Sequence, residues 1–147
     1  MNGSRVRAIG GKERSGVLRP GNLERFSAVW VAPADDVREI VDTYWAVSWN
    51  LNPGESIEQL IIDHPAVTFS VERGAVVAPY VVTAVRSKAW SRTISGSGDV
   101  FAVRLRPAGL AVLSTIDAAS LTGEQEMTPP MDHRAHHFLR QIEAEPD

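Results

Sequence analysis

The sequence predicts a mainly β domain with its helices gathered at the C-terminal end, an antiparallel sandwich or barrel, and three observations carry that expectation. Apolar and polar residues alternate with period two through Tyr44–Leu51, Ala66–Arg73 and Asp99–Arg106, the pattern of half-buried strands. Turn-forming residues separate these runs, at Asn52-Pro53-Gly54, at Gly74 and at Gly96-Ser97-Gly98. Beyond Pro107 the period changes to that of helices.

In chain order, Phe26–Ala32 is apolar and β-prone and is stopped by Pro33. Asp35 and Asp36 then suit the cap of a short helix over Val37–Val41. Tyr44–Leu51 follows as a strand with Trp45, Val47, Trp49 and Leu51 on one face. Further strands are expected over Ser56–Asp63, over Ala66–Arg73 with Val67, Phe69 and Val71 inward, over Ala75–Ala84 and over Lys88–Ser95. In Asp99–Arg106, Phe101, Val103 and Leu105 oppose Val100, Ala102, Arg104 and Arg106. Pro107 ends that strand, because it cannot donate to a ladder, and suits the first turn of a helix reaching Leu113. Gly109 permits close backbone approach where strand passes to helix. A short helical segment at Asp117–Leu121 and an amphipathic helix at His133–Ala144 complete the chain.

The 147 residues suffice for one hydrophobic core, read here as a single domain over 26–147. Residues 1–25 mix Gly, Ser and Arg without an apolar run and read as a flexible basic arm, with neither a signal peptide nor a membrane span in it. Fifteen basic against 18 acidic side chains give a net charge of −3, too little positive field for this chain alone to hold DNA. Absence of cysteine removes disulfides and thiolate chemistry and suits the cytoplasm.

Catalytic signatures are missing. No His-x-His pair, Gly-x-Ser-x-Gly elbow, phosphate loop or dinucleotide fingerprint occurs, so no catalytic residue, metal or cofactor is expected. His133, His136 and His137 have helical spacing that a metal could use, but read as surface histidines. His64, ahead of Pro65, either faces a pocket or serves a turn. Trp30, Trp45, Trp49 and Trp90 either fill a core or line a cavity. Arg104 and Arg106 either grip an anionic ligand or form outer-sheet salt bridges.

Three stretches together resemble the N-terminal effector-sensing domain of a subgroup of AraC-type transcription regulators. They are Tyr44-Trp-Ala-Val-Ser-Trp49, His64-Pro-Ala-Val-Thr-Phe-Ser-Val-Glu72 and Gly98-Asp-Val-Phe-Ala-Val-Arg-Leu-Arg-Pro-Ala-Gly109, with Asp117-Ala-Ala-Ser-Leu-Thr122 after them. Ala102 stands where the family usually has glycine, and Leu105 where it has a second aromatic; both suit a strand. The resemblance implies a cupin-like β domain that binds a small effector. Trp45, Trp49, His64, Phe69, Arg104 and Arg106, within the matched stretches, are the expected ligand contacts. The family's paired helix-turn-helix units do not occur in these 147 residues, so the chain is expected to be a sensor half that reaches DNA only through a further C-terminal domain.

The expectation is therefore a non-enzymatic domain whose effector shifts homodimerisation or the hold on a DNA-binding unit. One rival is a ligand-free interaction module using Phe138, Leu139 and Ile142 as its face. A second is a small barrel enzyme, for which the sequence offers the scattered His64, Asp63, Glu72 and Asp99.

Overall fold

The computed structural model describes residues 16–17, 26–62, 66–85, 90–121 and 123–144. Strands β1 (Gly16–Val17), β4 (Ser56–Ile62) and β7 (Trp90–Ser95) form a small antiparallel sheet in the order β1-β4-β7. The larger sheet runs β2-β3-β8-β5-β6-β9, from β2 (Phe26–Val31), β3 (Val41–Asn50), β8 (Ser97–Leu105), β5 (Thr68–Gly74), β6 (Tyr80–Thr83) and β9 (Glu124–Glu126). Helices α1 (Pro107–Leu113) and α2 (His133–Ala144) follow the strands. The fold is thus mainly β with C-terminal helices, and its strands among the described residues form two antiparallel sheets, consistent with the expected sandwich or barrel, with no closed barrel among them.

The large sheet has a covered face on each side. On one, Phe69 and Val71 of β5, Val82 of β6 and Val103 and Leu105 of β8 pack with Ala135 and Leu139 of α2 and with Met127. Phe138 and Ile142 of α2 join the same cluster. On the other, Trp49 packs with Leu51, with Ile57 of β4 and with Ile94 of β7, joining the two sheets at one end. The inward set Val67, Phe69 and Val71 is as expected, all three being buried. Alternation in β5 and β8 nevertheless does not separate core from solvent. Thr68, Ser70, Glu72, Ala102 and Arg104 on the opposite face are buried too, because that face meets the small sheet's side.

Several elements differ from expectation. Val37–Val41 is not a helix: Val37 N–H and Ile40 N–H close successive turns onto Ala34 O and Val37 O, and Val41 is already paired with Leu105. So short a segment cannot offset the cost of helix nucleation when a strand position is available. β3 begins at Val41, not Tyr44, and Asp42 is the extra residue of a β-bulge opposite β8. Of the strand expected over Ala75–Ala84, only Tyr80–Thr83 is extended; Pro79 and the turn after Gly74 take the rest. Within the expected arm, Gly16–Val17 pairs with Ile61–Ile62. β9 was unforeseen, since Glu-Gln-Glu has little strand propensity and earns its place only as an edge strand beside β6. Of the other expected ends, Asp63, Lys88 and Ala89 fall outside the described residues.

Two glycines fix changes of direction in the chain. Gly96, with φ of 59°, turns the chain from β7 in the small sheet into β8 in the large one. Gly109 lies so close to the turn before β3 that a Cβ there would stand 2.1 Å from Ile40 O, which already accepts from Arg106 N–H. Asp132, 2% exposed, then caps α2 and ties it to the end of α1. It accepts from Ala135 N–H at 3.0 Å, from Thr115 N–H at 2.9 Å and from the Ser114 hydroxyl. Burial alone would raise its pKa, but the bonds from Ser114, Ala135 and Thr115 outweigh burial and hold it below the ordinary aspartate value.

Asp132→Ala is expected to lower unfolding free energy by about 2–4 kcal/mol at neutral pH, the scale of a lost cap plus buried donors left unpaired. Because the folded-state pKa is depressed, this contribution is complete above the unfolded aspartate value and is lost as pH falls through the folded one. Urea unfolding of both proteins at pH 7 and at successively lower pH below 4 checks this: the gap between them should narrow on acidification.

Candidate functional site

Cross-strand partners share a face, so the register of the large sheet sorts its side chains into rows. On the face toward the small sheet, the first row is Phe26, Trp49, Gly98 and Gly74. Next come Ala28, Val47, Val100 and Glu72, then Trp30, Trp45, Ala102, Ser70 and Val81. The last is Thr43, Arg104, Thr68, Thr83 and Glu124. Polarity rises along these rows, from an apolar end at Trp49 to buried hydroxyls and a buried guanidinium at Thr43, Thr68, Thr83 and Arg104.

Charge in this layer is paired internally. Glu72, 3% exposed, receives Arg92 Nη1 at 3.0 Å on Oε1 and Arg92 Nη2 at 2.6 Å on Oε2, while the Ser70 hydroxyl donates to Oε1 at 3.0 Å. Arg92 stands on β7 of the small sheet, so the fork spans the two sheets, and Glu124 Oε1 lies 3.8 Å from the same Nη1. Burial presses the Arg92 pKa down, but the hydrogen bonds and charge of Glu72, with Glu124 behind it, raise it on balance and keep the guanidinium charged. In the last row, Arg104 Nε donates to Asp42 Oδ2 at 2.6 Å and its Nη2 to Thr43 Oγ1 at 3.2 Å. The bulge at Asp42 is what lets two consecutive side chains reach one arginine.

The indoles differ in how their N–H groups are used. Trp49 Nε1 donates to Ser95 O at 2.9 Å. Trp45 Nε1 is buried and has no hydrogen-bond partner among the described residues. An indole N–H is a donor only, and leaving one buried and unbonded costs about 1–3 kcal/mol. Trp45 shares its cross-strand row with Ala102, a small residue 1% exposed, and with Ser70 beyond it.

The expected ligand contacts divide accordingly. Trp45, Trp49 and Arg104 share the inter-sheet face but not one place on it: Trp49 is in the first row, Trp45 in the third and Arg104 in the last. Phe69 is fully buried on the opposite face, in the helix-side core. Arg106 lies past the end of β8, about half exposed, donating through Nε to Arg38 O at 2.6 Å and lying 3.3 Å from Asp42. The outer-sheet reading of Arg104 is corrected: it is 7% exposed, and the bulge brings the half-buried Asp42 carboxylate to it. His64 lies outside the described residues, as does the side chain of Trp90. Glu72, named in the sequence only as a scattered acid, proves central with Arg92 and Ser70. Their positions follow from register and from a partner in the other sheet, which spacing along the chain does not encode.

Elsewhere, no group of three histidine or acidic side chains among the described residues is arranged to hold a metal ion. His136 instead meets the Tyr80 ring edge-on at 5.0 Å. The Tyr80 hydroxyl donates to Glu143 of α2, and that bond, with burial, raises its pKa. No helix among the described residues is long and apolar enough to cross a membrane.

The family described as a domain of unknown function, DUF6597, matches residues 30–127, and the chain belongs to it. That span runs from Trp30 of β2 to Met127 just after β9 and so contains every row of the inter-sheet face except the first residues of β2. No curated protein matches the chain, and no solved structure does.

Removing Arg92 strands a buried carboxylate. Arg92→Met is expected to cost about 3–5 kcal/mol. Glu72→Gln, which leaves Arg92 within reach of Glu124 and water, should cost about 1–2 kcal/mol. The double variant should recover much of the Arg92→Met loss. A double-mutant cycle by chemical denaturation reads the coupling; additive losses would mean that the fork contributes nothing as a pair.

Proposed function

We propose that this DUF6597 member is a ligand-sensing regulatory domain, one that binds a small effector between its sheets and performs no covalent chemistry on it. The buried, unpartnered Trp45 N–H carries the reading: a bound molecule that accepts this bond removes a standing penalty, and so binds with more than its apolar contact. The resemblance of Tyr44–Trp49, His64–Glu72 and Gly98–Gly109 to AraC-type sensors supports the same reading. In that setting the domain acts in the cytoplasm, controls a homodimer or a DNA-binding unit joined to it, and meets DNA only through that unit.

The two-faced sheet gives the effector a route to an output. Ser70 faces the proposed site, while its neighbours Phe69 and Val71 face α2. Movement of β5 toward a ligand therefore changes the seat of α2, which Tyr80 and Arg73 also hold through Glu143. The rival in which Phe138, Leu139 and Ile142 form a partner face is disfavoured, since all three pack into the helix-side core.

Thermal-shift screening of the full chain against a small-molecule library tests the proposal. A genuine effector at 100 times its Kd should stabilise the fold by about 2.7 kcal/mol. Trp45→Phe should weaken that effector about tenfold, the scale of one hydrogen bond in a buried setting. A screen with no stabilising compound, or hits indifferent to Trp45→Phe, would count against a ligand site here.

A further inference from the structure

We infer that β2 is a self-association edge: it pairs antiparallel with β2 of a second copy of this chain and joins the two large sheets into one. This gives the proposed homodimer its face and rests on that part of the functional reading, not on the effector.

The sheet edges differ in how they are protected. β9 ends the large sheet with three residues, two of them glutamates, the short and charged form that keeps an edge from pairing. In the small sheet, β1 has two residues and β7 carries Arg92. β2 ends the large sheet on its other side with six residues, Phe-Ser-Ala-Val-Trp-Val, which hold no charge and no proline. Its pairing with β3 runs through all six without a bulge, and among the described residues no strand lies along its outer side. Such an edge turns alternate backbone N–H and C=O groups outward, and another extended backbone matches them in series.

The side chains decide whose backbone that is. On the helix-side face, the row of Val29, Ala46 and Phe101 is exposed, Val29 at 52% and Phe101 at 37%, with Tyr44 stacked on Phe101. An apolar row thus runs out to the β2 edge. β9 of another copy would bring Glu124 and Glu126 to this uncharged strand, whereas a second β2 brings no charge at all. Continuing the sheet requires a twofold axis normal to it, so that each residue meets one of the same face. With the axis at Val29, the exposed valine meets the partner's Val29, and Trp30 meets the partner's Ala28, large beside small. An axis at Ala28 would leave Val29 opposite the partner's Ser27. Strands of this length bury less than about 1,200 Å², the lower bound of stable interfaces, so the dimer is expected to be weak and concentration-dependent.

The chain contains no cysteine, so one introduced thiol reports one contact. Val29→Cys in the full chain is expected to form a disulfide-linked dimer on mild oxidation. Opposed Cα atoms in an antiparallel pair, about 4.5–5.5 Å apart, lie within disulfide reach. Ala46→Cys, one strand inward on the same exposed row, should stay monomeric. Sedimentation equilibrium of the unmodified chain, at concentrations reaching the millimolar, should show monomer and dimer together. Val29→Lys, with unchanged circular dichroism, should raise the dimer dissociation constant at least about tenfold. A chain monomeric throughout, a dimer indifferent to Val29→Lys, or linkage as efficient through Ala46→Cys as through Val29→Cys would overturn the assignment. Should Val29→Lys fold poorly, the two cysteine variants decide the matter alone. Effector binding is read separately by the ligand screen, so neither failure implies the other.

Discussion

The fork from Arg92 to Glu72 is the constraint around which the sandwich is arranged. It crosses from the small sheet to the large one where the contact between them is no longer apolar. An apolar contact can slide, whereas a bidentate pair fixes distance and angle together. Trp49, Leu51, Ile57 and Ile94 supply non-directional burial at one end, and the ion pair sets the position of β7 over β5 further along. Burying these two charges is not itself a source of net stability. Its effect is to place a polar layer inside the fold where a second apolar core would otherwise stand.

That division lets one set of strands do two jobs. β5 and β8 carry Phe69, Val71, Val103 and Leu105 on the helix side, a face packed like any protein interior. The same strands carry Ser70, Glu72, Ala102 and Arg104 on the other, where almost every polar atom is tied to a named partner. Against that background the Trp45 N–H stands out as a buried donor for which the described residues provide no acceptor. Helices α1 and α2 meet only the helix-side face. Asp132 joins them to each other and Glu143 joins α2 to β6, so a change in the strands is passed to a clamped unit.

Much of the architecture was legible in the sequence. Period-two runs located β3, β5 and β8 to within a few residues, Pro107 marked the start of α1, and the spacing from His133 gave α2 with its bounds. The close backbone approach at Gly109 was legible as well, though not its partner Ile40. What was not legible depends on contacts distant in sequence. A strand buried on both faces looks like one half-exposed when polar residues occupy the second face, so Ser70 and Glu72 read as solvent-facing. Arg104 did too, until the bulge at Asp42 supplied its partner. β9 is extended because β6 needed an edge partner, not because Glu124–Glu126 prefers it. Of the residues expected to touch a ligand, Trp45 and Arg104 fall on the polar rows, whereas Phe69 faces away from them.

Solvent exchange of the indole protons gives the most direct test that Trp45 awaits a ligand, since two tryptophans in the same strand serve as each other's reference. Trp49 N–H is bonded to Ser95 O and should exchange slowly, opening only when the sandwich does. Trp45 N–H, with no acceptor among the described residues, should exchange measurably faster in the free protein and slow when an acceptor ligand is bound. Trp45 exchange as slow as that of Trp49 in the free protein would mean that its donor is already satisfied within the fold, and would contradict a ligand site built on it.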